Sequence, residues 1–334
     1  MQEEQGPVRA PEFPAGVTWL QGGPLRMADL RGKLVLIDFW DYTCVNCIRT
    51  LPYVKEWHRR YADRGLVVVG VHAPEFSFAR ENGNVLRFVR EQGIQYPVVL
   101  DNEYAIWQAW ANRYWPAKYV VDANGYVRYY HFGEGQYGET EEVLQRLLRE
   151  VFPQALLPGL MEPVREEDRP GAVCYRVTPE LYLGYARGAP GNPQMQPDQA
   201  FKYRDPGKHI DGHAYLDGDW LVTAEFAARP AGASGESRLL VPYMAKDVNL
   251  VIHPPTYGDA ATISILQDGA PLRAEDAGED VVAGETVSTV KVDVPRMYRL
   301  VSNADIDRHE LTLSTTSDGV ALYAFTFTSC LVRE

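Results

Sequence analysis

Lys33-Leu34-Val35-Leu36-Ile37-Asp38-Phe39-Trp40-Asp41-Tyr42-Thr43-Cys44-Val45-Asn46-Cys47 is the stretch that decides the fold. Its first eight residues form a nearly continuous apolar run, which predicts a buried central strand. From Cys44 onward Val45, Ile48, Leu51, Val54, Trp57 and Tyr61 recur every three or four residues, one face of a helix. Arg64-Gly65 supplies the basic residue and glycine that end such a helix. A thiol attacks only as its thiolate, and the free N–H groups and dipole of a helix N-terminus favour negative charge there. Cys44 opens the helix as a nucleophile, and Cys47, three residues on, lies on the same face and can resolve a mixed disulfide or close a ring with it. Zinc would need two more ligands, and Cys174 and Cys330 are isolated from each other in sequence, so no metal is expected.

Outward from this stretch the alternation of strand and helix continues. Residues 66–71 read as a second buried strand and 80–92 as a helix ended by Gly93. A short strand at 97–100 and an aromatic-rich helical turn at 104–110 follow. Residues 118–121 and 126–132 form a hairpin around Asp122-Ala123-Asn124-Gly125, and 139–151 is an amphipathic helix carrying Val143, Leu144, Leu147 and Leu148. Residues 11–152 thus form one α/β domain. Residues 153–172, with Pro153, Pro158, Pro163 and Pro170, read as a linker. Beyond it helical patterns almost vanish. Alternation over Trp220, Val222, Ala224 and Phe226, over Val248, Leu250 and Ile252, and over Tyr323, Phe325 and Phe327 predicts an all-β domain, a β-sandwich or jelly roll, over 173–334.

A length of 334 residues suits two domains that each bury a core. The formal net charge of −12 works against a grip on nucleic acid, which needs clustered Lys and Arg. No stretch approaches the ~18 consecutive apolar residues of a membrane span. Residues 1–6 are polar and acidic, so no intact secretory signal is expected there; either the protein is cytoplasmic or an export signal or anchor lies outside this sequence.

The run 36–40 leading into Cys44-Val45-Asn46-Cys47, with Pro52 five residues past the second cysteine, resembles the thioredoxin superfamily. The resemblance implies a central mixed sheet with flanking helices. It implies that Asp38 is a buried acid beneath the cysteine pair, accepting the proton of Cys47. It also implies that Trp115-Pro116 is a cis bond facing the disulfide and holding extended substrate backbone. The roughly 45 residues between Val71 and Pro116 leave room for an inserted helix and strand, similar to TlpA-like and peroxiredoxin-like branches. The segments 39–47, 69–76 and 114–117, with Leu181-Tyr182-Leu183-Gly184, resemble the extracytoplasmic part of DipZ-type proteins, in which a TlpA-like domain precedes a carbohydrate-binding-module-like jelly roll. That likeness implies an extracytoplasmic thiol–disulfide oxidoreductase acting on protein thiols and disulfides. It further implies a membrane electron carrier of cytochrome-biogenesis type as reductant, with no cofactor beyond the redox-active disulfide. Thr50 departs from the pattern, standing where many TlpA-like proteins carry a glutamate.

The other candidates have two readings each. Trp40 and Tyr42 form an apolar rim for substrate or pack against the inserted helix. His72 and Glu75 line the site from the loop after the second strand or are solvated there, and Trp107 and Trp110 read as core. Cys174 and Cys330 flank the β domain and either close a structural disulfide or stay as free buried thiols. The β domain resembles a sugar-binding module, yet six of the seven Trp residues lie in the first domain, so assembly or partner docking is the expected role. Two rival functions remain: a peroxiredoxin-like thiol peroxidase, and a non-enzymatic wall- or glycan-binding module.

Overall fold

The computed structural model describes residues 8–255, 260–328 and 330–331. The chain divides into two compact units, Met1–Arg169 and Pro170–Glu334.

The first unit runs β1 (Thr18–Gln21), β2 (Leu34–Trp40), α1 (Val45–Tyr61), β3 (Leu66–His72), α2 (Asn82–Glu91), β4 (Val98–Leu100), α3 (Ala105–Ala109), β5 (Ala117–Val121), β6 (Val127–Phe132) and α4 (Tyr137–Val151). The strands form one mixed sheet in the order β1-β4-β3-β2-β5-β6. β2 pairs in parallel with β3 and antiparallel with β5, and all seven of its residues are buried. That placement explains its unbroken apolar reading, since a strand covered on both faces has no solvent side to mark with polar residues. Phe39, Val69, Val71, Val99 and Ile106 lie in the core on one face of this sheet. α1 ends through a 3-10 turn into Gly65, whose φ of 98° is a left-handed value that glycine adopts without a Cβ penalty.

Edge strand β1 was not expected, because four residues of mixed burial carry too little periodicity to read; pairing with β4 defines it. The linker expectation is corrected in part. Residues 158–168 are held on the first unit: Met161 N–H donates to Glu141 Oε2 (2.8 Å), Val164 N–H to the Tyr53 hydroxyl (2.8 Å), and Tyr53 donates to Asp168 Oδ2 (2.6 Å). The prolines break helix and strand there, but they do not prevent docking through main-chain hydrogen bonds.

In the second unit the strands are β7 (Val173–Cys174), β8 (Leu181–Tyr182), β9 (Ala200–Tyr203), β10 (Tyr215–Val222), β11 (Ala227–Ala228), β12 (Ser237–His253), β13 (Ala261–Gln267), β14 (Val281–Val282), β15 (Ser288–Val292), β16 (Arg296–Thr315), β17 (Ala321–Thr328) and β18 (Cys330–Leu331). Ten of them make one sheet whose ladders are all antiparallel. It is organised by two long strands rather than by many short ones. β12 pairs with β16 along almost its whole length, with register shifts between Ala245 and Asp247 and between Val248 and Asn249. On its other edge it borders β10 at its start and β17 from Asp247 onward. Such bulges bend a strand and let one chain serve two neighbours. The expected alternation over 220–226 breaks at Val222, where Thr223 N–H donates to Phe226 O (2.8 Å) and closes a turn before β11.

β7 and β18 form a separate two-residue ladder in which Cys174 and Cys330 are Cα partners, and Cys174 is disulfide-bonded.

Candidate functional site

Cys44 is the N-cap residue of α1, with extended backbone (φ −78°, ψ 115°), and its Sγ accepts the Cys47 N–H at 3.2 Å. A hydrogen bond to sulfur from the first helical turn favours the thiolate. Both thiols are free; Cys44 is half-buried and Cys47 buried. Burial is the largest influence on each. It pushes the Cys44 thiol up, a shift opposed by the hydrogen bond from Cys47 and reinforced by the carboxylates of Glu75 and Asp41. Cys47 is pushed well above the ordinary thiol value, first by burial and then by Cys44 itself. The outer cysteine is therefore the more acidic of the two, as an attacking thiol in front of a buried resolving thiol requires.

Asp38 lies on β2 between Gly70 of β3 and Lys118 of β5 in register. Its side chain is buried, and Oδ1 has no hydrogen-bond partner. An ionised carboxylate left unpaired there would cost several kcal/mol, so the group shifts instead: burial raises it to about 7, and the Lys118 ammonium acts in the opposite direction. Gly70 permits this packing, because a Cβ there would meet Trp40 Nε1 at 2.9 Å and Tyr96 Cε2 at 3.0 Å. Lys118 is fully buried, its Nζ donates to Gly133 O (3.3 Å), and burial lowers its pKa while Asp38 and then Cys47 raise it. Sequence reading missed Lys118. A lone lysine inside the apolar run 117–121 was the available signal, since a buried lysine needs a partner.

The Trp115–Pro116 peptide bond is cis. Trp115 donates from Nε1 to Ala73 O (2.9 Å) and packs against Trp107 with ring centroids 4.3 Å apart. Trp110 lies in the core, and Trp107 packs partly buried against it.

Two expectations need correction. Trp40 and Tyr42 are not a substrate rim: both are buried, and both pack on Phe88 of α2 (5.7 and 5.8 Å between centroids). Large apolar rings next to the cysteines are used to seat the inserted helix. His72 is not a solvated loop residue but the last residue of β3, with no exposed surface. Burial lowers its pKa to about 3, so it is neutral. Glu75 is half-buried, with its N–H on Asp41 Oδ2 (2.8 Å). Thr50 is buried and bonds the Tyr137 hydroxyl (3.2 Å), so no acid occupies that position. Among the described residues no group of His, Cys, Asp and Glu converges to hold a metal ion, and no helix is long and apolar enough to cross a membrane.

With this geometry in hand, the comparisons with known proteins give a consistent result. The AhpC/TSA family model matches residues 8–130, and that of the thioredoxin-like C-terminal domain matches residues 178–328. The protein DipZ of Mycobacterium bovis is 34% identical over 302 residues, which cover 85% of this chain but only 41% of DipZ. The chain thus spans about two fifths of the length of that relative. The thiol–disulfide oxidoreductase YkuV of Bacillus subtilis is 32% identical over 141 residues, 42% of this chain and 95% of YkuV. ResA of Bacillus thuringiensis, also a thiol–disulfide oxidoreductase, is 30% identical over 144 residues, 43% of this chain and 77% of ResA. A free cysteine pair at the head of α1, on a mixed sheet matched across nearly the full length of such relatives, places this chain in the family of thioredoxin-like thiol–disulfide oxidoreductases.

Proposed function

We propose that the chain reduces disulfides of proteins outside the cytoplasm through a Cys44/Cys47 dithiol–disulfide cycle. The observation that carries this reading is the pair itself: a half-buried N-cap thiol accepting the Cys47 N–H at 3.2 Å, with a buried second thiol behind it. The Cys44 thiolate attacks one substrate sulfur, the substrate S–S bond breaks, and the displaced thiolate takes up a proton. Cys47, deprotonated by Asp38, then attacks Cys44 Sγ, and the second substrate thiolate leaves. Two electrons and two protons pass to the substrate, and the Cys44–Cys47 disulfide forms.

Trp115 and Pro116 border the path of the substrate backbone in this scheme. The exchange needs no metal or organic cofactor. By the family resemblance, a membrane carrier of dithiol electrons restores the pair. Cys174, opposite Cys330, serves as a structural clasp of the β unit, in keeping with an oxidising compartment.

The test is the reduction potential of the pair, measured by equilibration in glutathione and dithiothreitol buffers. A value near about −270 mV supports a reductant, and one near about −120 mV makes the protein an oxidant instead. Absence of any reversible two-electron couple would overturn the reading. Turnover of hydrogen peroxide in place of protein disulfides would move it to the peroxidase alternative.

A further inference from the structure

Asp41 is a carboxyl group that the exchange steps leave unused, and it is completely buried three residues before Cys44. Its Oδ1 accepts the Thr43 N–H (2.6 Å) and the Thr43 hydroxyl (2.5 Å). Its Oδ2 accepts the Glu75 N–H (2.8 Å) and lies 3.6 Å from His72 Nε2. Neither ring nitrogen of His72 has a hydrogen-bond partner, and the ring is set edge-on to Trp40 and stacked on Tyr42. The titratable groups facing Asp41 are His72 from the end of β3, Glu75 from the next loop, and Cys44 and Cys47 from the head of α1. Main-chain amides can only donate, so the two that bond Asp41 suit the ionised carboxylate. Burial works the other way.

We propose that Asp41, anchored on Thr43 and the Glu75 amide, is a positioning residue that biases exchange toward substrate reduction by making Cys44 a poor leaving group. The inference rests on the dithiol cycle proposed above. A mixed disulfide between Cys44 and substrate has two exits. In the forward one Cys47 attacks Cys44 Sγ, and the electron pair leaves on the substrate sulfur. In the backward one the second substrate thiolate attacks the substrate sulfur, and the pair leaves on Cys44. Leaving groups depart more slowly as their pKa rises. A negative charge on Asp41 opposes ionisation of Cys44 and so slows the backward exit, whereas the forward exit departs on the substrate sulfur.

The experiment is the pH profile of iodoacetamide alkylation at Cys44 in the reduced full chain, located by peptide mass spectrometry, for wild type, Asp41→Asn and Asp41→Ala. Both variants are expected to shift the profile about one pH unit toward acid. That shift gives about tenfold more thiolate at pH 7 and, after the lower nucleophilicity of the more acidic thiol, about threefold faster alkylation. If Asp41→Asn superposes on wild type while Asp41→Ala departs from it, the side chain is only a hydrogen-bond anchor and the proposal fails. A wild-type Cys44 that already titrates below pH 7 overturns it as well, without recourse to any variant. A wild-type pair with no reversible couple would instead strike the dithiol cycle itself, so the two failures are distinguishable.

Discussion

Lys118 stands directly opposite Asp38 across the antiparallel pairing of β2 with β5, and both side chains are buried. The carboxyl is raised to about 7 by burial while the ammonium draws it down, and the ammonium is lowered by burial while the carboxyl draws it up. The Lys118 charge thus helps to keep Asp38 near neutral pH. An acid that titrates there is matched to taking a proton from a buried thiol.

Replacing Lys118 by Met keeps the length and apolar volume of the side chain and removes the cation. The acidic limb of the pH–rate profile for reduction of a disulfide-bonded reporter peptide is expected to move about one unit toward alkali, because Asp38 loses its opposing charge. A profile that stays in place would remove Lys118 from the proton chemistry.

Asp38 also makes stability depend on pH. Its folded pKa of about 7 exceeds the ordinary carboxyl value of 3.8, so between those values the folded protein binds more protons than the unfolded chain. Stability then falls as pH rises from 4 to 7 and levels off above, by up to about 4 kcal/mol in all. Urea midpoints of the oxidised protein at several pH values should show this slope. In Asp38→Asn the slope should flatten; an equal slope would assign it to other groups.

Cys47→Ser should stall the cycle after the first step. A mixed disulfide between Cys44 and a substrate protein or glutathione should accumulate, visible as an added mass that dithiothreitol releases. Cys44→Ser should form none, since Cys47 is buried and its thiol is held well above the ordinary value.

Cys174→Ser should lower the unfolding free energy of the second unit by about 2–5 kcal/mol, the usual effect of losing a native disulfide. Thiol exchange at Cys44 should continue unchanged, as the substitution lies in the other unit. Equal denaturant midpoints for variant and wild type would show that the bridge adds no stability.

Local pattern was enough for part of the molecule. The run 33–40, the three-to-four spacing after Cys44, the turn Asp122-Ala123-Asn124-Gly125 and the spacing of Cys44 and Cys47 each record a short-range constraint, and the matching elements form within a few residues of where they were read. The second unit was legible as β structure but not as a sheet built on β12 and β16, because pairing partners up to 78 residues apart leave no local mark.

The sequence by itself therefore determined the strand, the helix and the cysteine pair that opens it, since backbone periodicity and side-chain polarity act over neighbouring residues. Only the tertiary structure decided the electrostatics around that pair. Lys118 meets Asp38 through the register of two strands, and His72 reaches Asp41 from the end of a third. Trp40 and Tyr42 turn inward because α2 covers them. A charge is set by whatever surrounds it in three dimensions, and those neighbours come from distant parts of the chain.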